Sequence, residues 1–146
     1  MEAVSSRGGR IDVLINNAGY EQAPALEELS SEEARAQFET NFFGVVRMVN
    51  AVLPLVRRQT RGHIINISSL AGRSAIPFLG FYWASKFALE GYAEALRHEV
   101  KPLNIHASLT EAGLPFVLPK RRRQDLSLWP ARCTRLFPAT LRGCAT

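Results

Sequence analysis

Three short apolar runs, residues 11–15, 63–69 and 104–109, stand between much longer segments with a helical period, and this alternation restricts the fold more than any other feature. Antiparallel strands join through tight hairpins, whereas parallel strands need a crossover of about a dozen residues or more. Helical crossovers in both gaps therefore predict parallel pairing. The order strand, helix, strand, helix, strand predicts an α/β fold with a partial doubly wound, Rossmann-like parallel sheet. The first crossover opens with Ser30-Ser31-Glu32-Glu33, a capping box that starts a helix with Ser30 at its N-cap. Phe38, Phe42, Val45, Val49, Val52 and Val56 then alternate steps of four and three, an apolar stripe that faces a core or, in part, a partner helix. Pro54 is expected to bend or shorten the last turn. The second helix is expected from about Gly80 to Lys101, with Pro102 ending it. It carries Phe81, Ser85, Leu89, Tyr92, Leu96 and Val100 on one stripe and Glu90, Glu94 and Arg97 on the other side.

Residues 63–69 are apolar and β-branched and lie between Gly62 and Gly72, which predicts a strand covered on both faces. Ser68 and Ser69 stand at its carboxyl end, where ligands bind in an open parallel sheet. Residues 72–79 are expected to form a loop bounding the substrate side. In the helix that follows, the four-residue step from Tyr82 to Lys86 puts hydroxyl and ammonium on one face. A phenol titrates near about 10, too high for a general base at neutral pH, and a neighbouring cation lowers it. Ser69, thirteen residues before Tyr82, offers a second hydroxyl to the same substrate oxygen. The trio reads as a metal-free site for interconverting a ketone and an alcohol. Asn41 is a polar amide beside an apolar stripe and needs a partner. Asn16-Asn17-Ala18-Gly19 closes the first strand with small residues that allow close backbone approach.

These segments, Asn16-Asn17-Ala18-Gly19, Asn41-Phe42-Phe43-Gly44, Asn66-Ile67-Ser68-Ser69 and Tyr82-Trp83-Ala84-Ser85-Lys86, occur in an order and spacing that resemble the short-chain dehydrogenase/reductase (SDR) family. The likeness runs from about Gly9 to Gly113. It implies hydride transfer between NAD(H) or NADP(H) and an alcohol or carbonyl compound. It also implies that Tyr82 is the proton donor or acceptor, that Lys86 lowers its pKa and holds the nicotinamide ribose, that Ser69 orients the carbonyl, and that Asn41 holds a water in the proton relay. Asn16, Ala18 and Gly19 would border the cofactor together with Tyr82 and Lys86. Residues 87–97 resemble the branch acting on steroid-, retinoid- and acyl-like substrates. The chain departs from the family in two places. No Thr-Gly-x-x-x-Gly-x-Gly segment precedes residue 16, so the resemblance is to a fragment without the Gly-rich half, and tight dinucleotide binding by this chain alone is not expected. Thr110-Glu111-Ala112-Gly113 has alanine where the family has proline. The alternative is a catalytically inactive remnant that serves as an interaction module. The helices of residues 31–57 and 80–101 would be its seam, or that of a homodimer.

The net charge of +5 is confined to the end of the chain. Residues 114–146 hold seven cations against Asp125, while residues 1–113 hold eleven cations against twelve anions. Residues 1–113 therefore read as one partial domain with the catalytic motifs, and 114–146 as a basic, poorly ordered tail. Lys120 to Arg123 has no interleaved aromatics, so no nucleic-acid partner is expected. Cys133 and Cys144 lack CxxC spacing, and His63, His98 and His106 lack metal spacing, so no metal is expected. No run reaches the roughly 18 apolar residues of a membrane span, and a cytoplasmic protein is the expectation.

Overall fold

A computed structural model of the chain describes residues 9–112. Strands β1 (Val13–Asn16), β2 (Gly62–Ser69) and β3 (Ile105–Ala112) form one parallel sheet in the order β1-β2-β3. The first crossover contains α1 (Ser31–Phe38), a π turn (Glu39–Phe43) and α2 (Gly44–Gln59); the second contains a 3-10 turn (Leu70–Gly72), α3 (Gly80–Val100) and a short 3-10 turn (Lys101–Leu103). The register pairs Asn16 with Asn66 and Ser69 with Ala112, so β2 and β3 end level with each other and β1 ends beside Asn66 of β2.

The core is built from Val45, Val49, Val52 and Val56 of α2 and Leu89, Leu96 and Val100 of α3, packed on Ile64, Ile105 and Ala107 of the sheet. Complete burial of such a side chain contributes about 1.5–3 kcal/mol. Both helices therefore lie on one face. Right-handed crossovers that step the same way along a sheet give that result. The other face carries Val13 and Ile15, 50% and 59% exposed, with Ile65 and Ile67 half-buried. This corrects the expectation that residues 63–69 are covered on both faces.

Local chemistry accounts for the element ends. Ser30 Oγ accepts from the Glu33 N–H at 3.2 Å while Glu33 Oε2 accepts from the Ser30 N–H at 3.0 Å, the reciprocal capping box. The helix is not shortened at Pro54, which is exposed, while Val52 and Val56 hold the last turns in the core. α2 ends on Thr60 in the left-handed region at φ 57°, and Asn104 Nδ2 donates to the Thr60 carbonyl at 3.0 Å from the start of β3. The Gln59 amide pairs with both main-chain groups of Ile11, at 3.0 and 2.7 Å. β3 runs on to Ala112, three residues past its apolar part, and Arg73 holds Glu111 from the turn after β2. No helix among the described residues is long and apolar enough to cross a membrane. The expectations for the tail, including both cysteines and Lys120 to Arg123, lie outside the described residues.

Candidate active site

The carboxyl end of β2 and the first half of α3 bring the sequence-selected side chains together. Ser69 is buried, and its Oγ caps the 3-10 turn by accepting from the Ala71 N–H at 3.2 Å. The hydroxyl proton of Ser69 is not taken up by any acceptor among the described residues. Tyr82 lies in the first turn of α3, half-buried, with its hydroxyl unbonded among those residues. Lys86 is one turn further on. Its Nζ lies 5.8 Å from the centroid of the Tyr82 ring and donates to the Ile67 carbonyl at 3.1 Å. Lys86 is 7% exposed as a residue, and its ammonium makes no ion pair among the described residues. Burial pulls its pKa below the ordinary lysine value, and the charge of Glu90 partly opposes this.

Asn41 sits in the π turn, where the Gly44 N–H reaches back five residues to the Glu39 carbonyl. Such one-turn π segments recur at functional positions because they turn a side chain out of the regular helical phase. The Asn41 amide holds Tyr20 as a strand partner would: Oδ1 accepts from the Tyr20 N–H at 3.0 Å, and Nδ2 donates to the Tyr20 carbonyl at 2.9 Å. The second Nδ2 hydrogen goes to Ser85 Oγ at 3.1 Å, and Ser85 Oγ donates to the Tyr82 carbonyl at 2.7 Å. Asn41, Ser85 and the main chain of Tyr82 are thus one buried hydrogen-bonded line. Gly19 completes it, since a Cβ there would lie 3.2 Å from Asn41 Oδ1 and 3.8 Å from Lys86 Nζ.

The outer candidates are placed differently. Asn16 is buried and donates through Nδ2 to Asn66 Oδ1 at 2.8 Å, which ties β1 to β2 at their carboxyl ends. Ala18 is exposed. Sequence reading missed Ser85 by assigning it to an apolar stripe, and it missed Gln37, which is fully buried and donates to the Tyr20 carbonyl at 3.2 Å. It also put Glu90 with Glu94 and Arg97 on the side of α3 away from the apolar stripe. Glu90 instead faces the end of β2, accepts from the Ser68 hydroxyl, and packs against Gly72. Amides in helical phase with the valines, and a carboxylate one turn beyond Lys86, were the available signals.

A parallel, Rossmann-like sheet with a Ser, Tyr and Lys set at its carboxyl edge defines a class, the α/β proteins that hold ligands at strand ends. Comparison with known proteins narrows this class to a family. The profile described as short chain dehydrogenase matches residues 1–115. A 3-ketodihydrosphingosine reductase of Bacteroides thetaiotaomicron is 55% identical over 113 residues, covering 77% of this chain and 42% of that protein. Retinol dehydrogenase 8 of Bos taurus is 47% identical over 107 residues, covering 73% and 34%. Among solved structures, a short-chain dehydrogenase from Streptomyces avermitilis superposes with TM-score 0.75 at 41% identity, covering 77% of this chain and 42% of that one. An NAD+-bound xylitol dehydrogenase gives TM-score 0.73 at 29% identity, covering 77% and 44%. The chain belongs to the short-chain dehydrogenase family. It spans less than half the length of the relatives it matches.

Proposed function

We propose that this chain carries the proton-transfer half of an NAD(P)-dependent oxidoreductase acting on an alcohol or carbonyl substrate. The observation that carries this reading is Lys86, buried with its ammonium over the Tyr82 ring and in no direct ion pair among the described residues, while the Tyr82 hydroxyl is unbonded among them. A cation in that position stabilises the phenolate, so Tyr82 passes a proton to or from the substrate oxygen, and the spare Ser69 proton orients that oxygen. Both Asn41 N–H groups are spent, so its role toward a relay water falls to a carbonyl oxygen.

The bound dinucleotide would supply or accept the hydride. The residues present fit its nicotinamide-ribose end. Lys86 uses one of its three donors on the protein, and Gly19 keeps the space beside it clear. Asn16, Ala18 and Gly19 would border the remainder. Among the described residues no Gly-rich turn opens a helix, so the pyrophosphate has no cradle there. Exposed Leu70 and Ile76 near the site favour an apolar substrate, in keeping with the names of the sphingoid and retinol relatives.

The reading includes a cytoplasmic protein and a homodimer seam along the helices, where Phe43, Met48 and Phe87 are exposed. Residues 114–146 remain outside the catalytic unit in this reading. The test is fluorescence titration with NADH and NADPH, followed by turnover assays on long-chain ketones and alcohols. Both are run on the chain alone and mixed with the Gly-rich half of a relative. Binding and turnover in the mixture that vanish with Lys86→Ala support the reading. Binding that Lys86→Ala leaves unchanged puts the site elsewhere. Mixtures that bind and turn over nothing favour the inactive interaction module.

A further inference from the structure

We propose that Glu90 is a positioning residue for the Tyr82 and Lys86 pair: its carboxylate, tethered to the Ser68 hydroxyl and backed by Gly72, docks α3 on the end of β2 and keeps a negative charge one turn from the Lys86 ammonium. The proposal rests on the reading of Tyr82 and Lys86 given above. Tyr82, Lys86 and Glu90 follow one another at four-residue steps, and such residues share a helix face. That face crosses the carboxyl end of β2. Lys86 reaches the Ile67 carbonyl, and Glu90 reaches the Ser68 hydroxyl, the next residue along the strand. Ser68 is 3% exposed, so its hydroxyl is committed to this carboxylate. Behind Glu90 stands the turn that carries Ser69. A Cβ on Gly72 would come within 2.5 Å of Glu90 Cγ and Oε1, so only glycine lets the carboxylate occupy this place.

The arrangement gives Glu90 two tasks. As a tether it fixes the turn after Ser69 against the helix that carries Tyr82. As a charge it opposes the loss of the Lys86 proton that burial favours, and a neutral lysine would not stabilise a phenolate. The other charges around this face are Arg73, which is drawn to Glu90 and Glu94 and paired with Glu111. From β2 the groups facing Lys86 and Glu90 are the uncharged Ile67 carbonyl and Ser68 hydroxyl.

The chain has three lysines, Lys86, Lys101 and Lys120, so the full 146-residue protein labelled with 13C at the lysine side chains gives three resolvable titration curves, with Lys86 assigned through Lys86→Arg. Glu90→Gln keeps an oxygen for Ser68 but removes the charge. It is expected to move the Lys86 curve to lower pH, leaving Lys101 unmoved and the amide exchange of Ala71 and Gly72 as slow as in the parent. Ser68→Ala keeps the charge but frees it to swing into solvent. It is expected to move Lys86 in the same direction and to speed exchange at Ala71 and Gly72. A Lys86 curve that superposes on the parent in both variants overturns the proposal, and a shift in Glu90→Gln alone overturns the tether. A merely structural Glu90 would change exchange without moving the titration. Failure of NADH or NADPH to perturb the Lys86 signal when the parent is mixed with the Gly-rich half of a relative would instead count against the proposed function, and the comparison of variants would stand.

Discussion

At the scale of the residue, the proposed site separates groups assigned to the reaction from groups that hold them. Tyr82→Phe removes the unbonded hydroxyl and nothing that packs. Turnover, in whatever assembly supports it, is expected to fall about 10²–10⁴-fold, with the far-UV spectrum unchanged. Ser69→Ala should cost less, because the Tyr82 proton remains. Lys86 shows the conflict between site and fold. Its depressed pKa means that, between that value and the ordinary lysine value near about 10.4, the unfolded chain binds more protons than the folded one. The stability it contributes is therefore present above the unfolded value and lost as pH falls through the folded one, so at neutral pH the buried ammonium is a cost. Lys86→Met is expected to raise stability by about 0.5–1 kcal/mol at pH 7, with the gain shrinking toward pH 10. Tyr92, raised first by burial, titrates with the opposite sign above about 10, but it is common to both proteins and cancels in the difference. Urea unfolding of the pair at pH 7 and pH 10 checks this, and a pH-independent gap would refute it.

At the scale of the element, the strands and helices were legible because period and punctuation agree. The capping box starts α1, and the valines at steps of four and three form the buried edge of α2. The upstream half of that stripe read differently in the structure. Phe38 and Phe42 are half-buried, and the buried line is Gln37, Asn41, Val45, continuous with the valines. Apolar periodicity cannot reveal a line of buried amides, nor a π turn, which shifts the phase while leaving the composition unchanged. The single-faced packing of the sheet was hidden for a related reason. β-Branched runs report affinity for a sheet, whereas coverage depends on the direction of each crossover. The placing of Ser69, Tyr82 and Lys86 close together was readable from spacing, but Glu90 looked like one charge on the side away from the apolar stripe. Thr60 occupies a left-handed conformation that costs a β-branched residue about 1–2 kcal/mol. Thr60→Gly should recover about 1 kcal/mol, because the Asn104 bond goes to the Thr60 carbonyl and survives. Loss of stability in that variant would mean that the bond from the Thr60 hydroxyl to the Gln59 carbonyl, 2.7 Å, outweighs the backbone strain.

At the scale of the whole molecule, the two faces of the sheet are unequal, and this sets how the described domain behaves in solution. One face is closed by α2 and α3. The other presents Val13 and Ile15 on β1, an edge strand of the described sheet, beside half-buried Ile65 and Ile67. An apolar face that meets an unpaired strand edge is a template for association, through apolar contact and main-chain pairing together. The two contributions are separable, because β1 side chains alternate. Val13 and Ile15 point away from the core, whereas Leu14 packs against it. Replacing Val13 and Ile15 by threonine keeps a β-branched strand and the pairing of Val13 with His63 and Ile15 with Ile65, but removes apolar surface that the fold does not bury. The Val13→Thr, Ile15→Thr chain is therefore expected to match the parent in urea midpoint within about 0.5 kcal/mol, the usual span for exposed positions. Its association beyond the dimer proposed along the helices should fall severalfold by sedimentation velocity. If association is unchanged, the contact runs through the helices instead, and substitution of exposed Phe43 and Met48 becomes the informative experiment. If stability drops by several kcal/mol, the face is covered in the folded protein, and the single-layer packing would have to be abandoned.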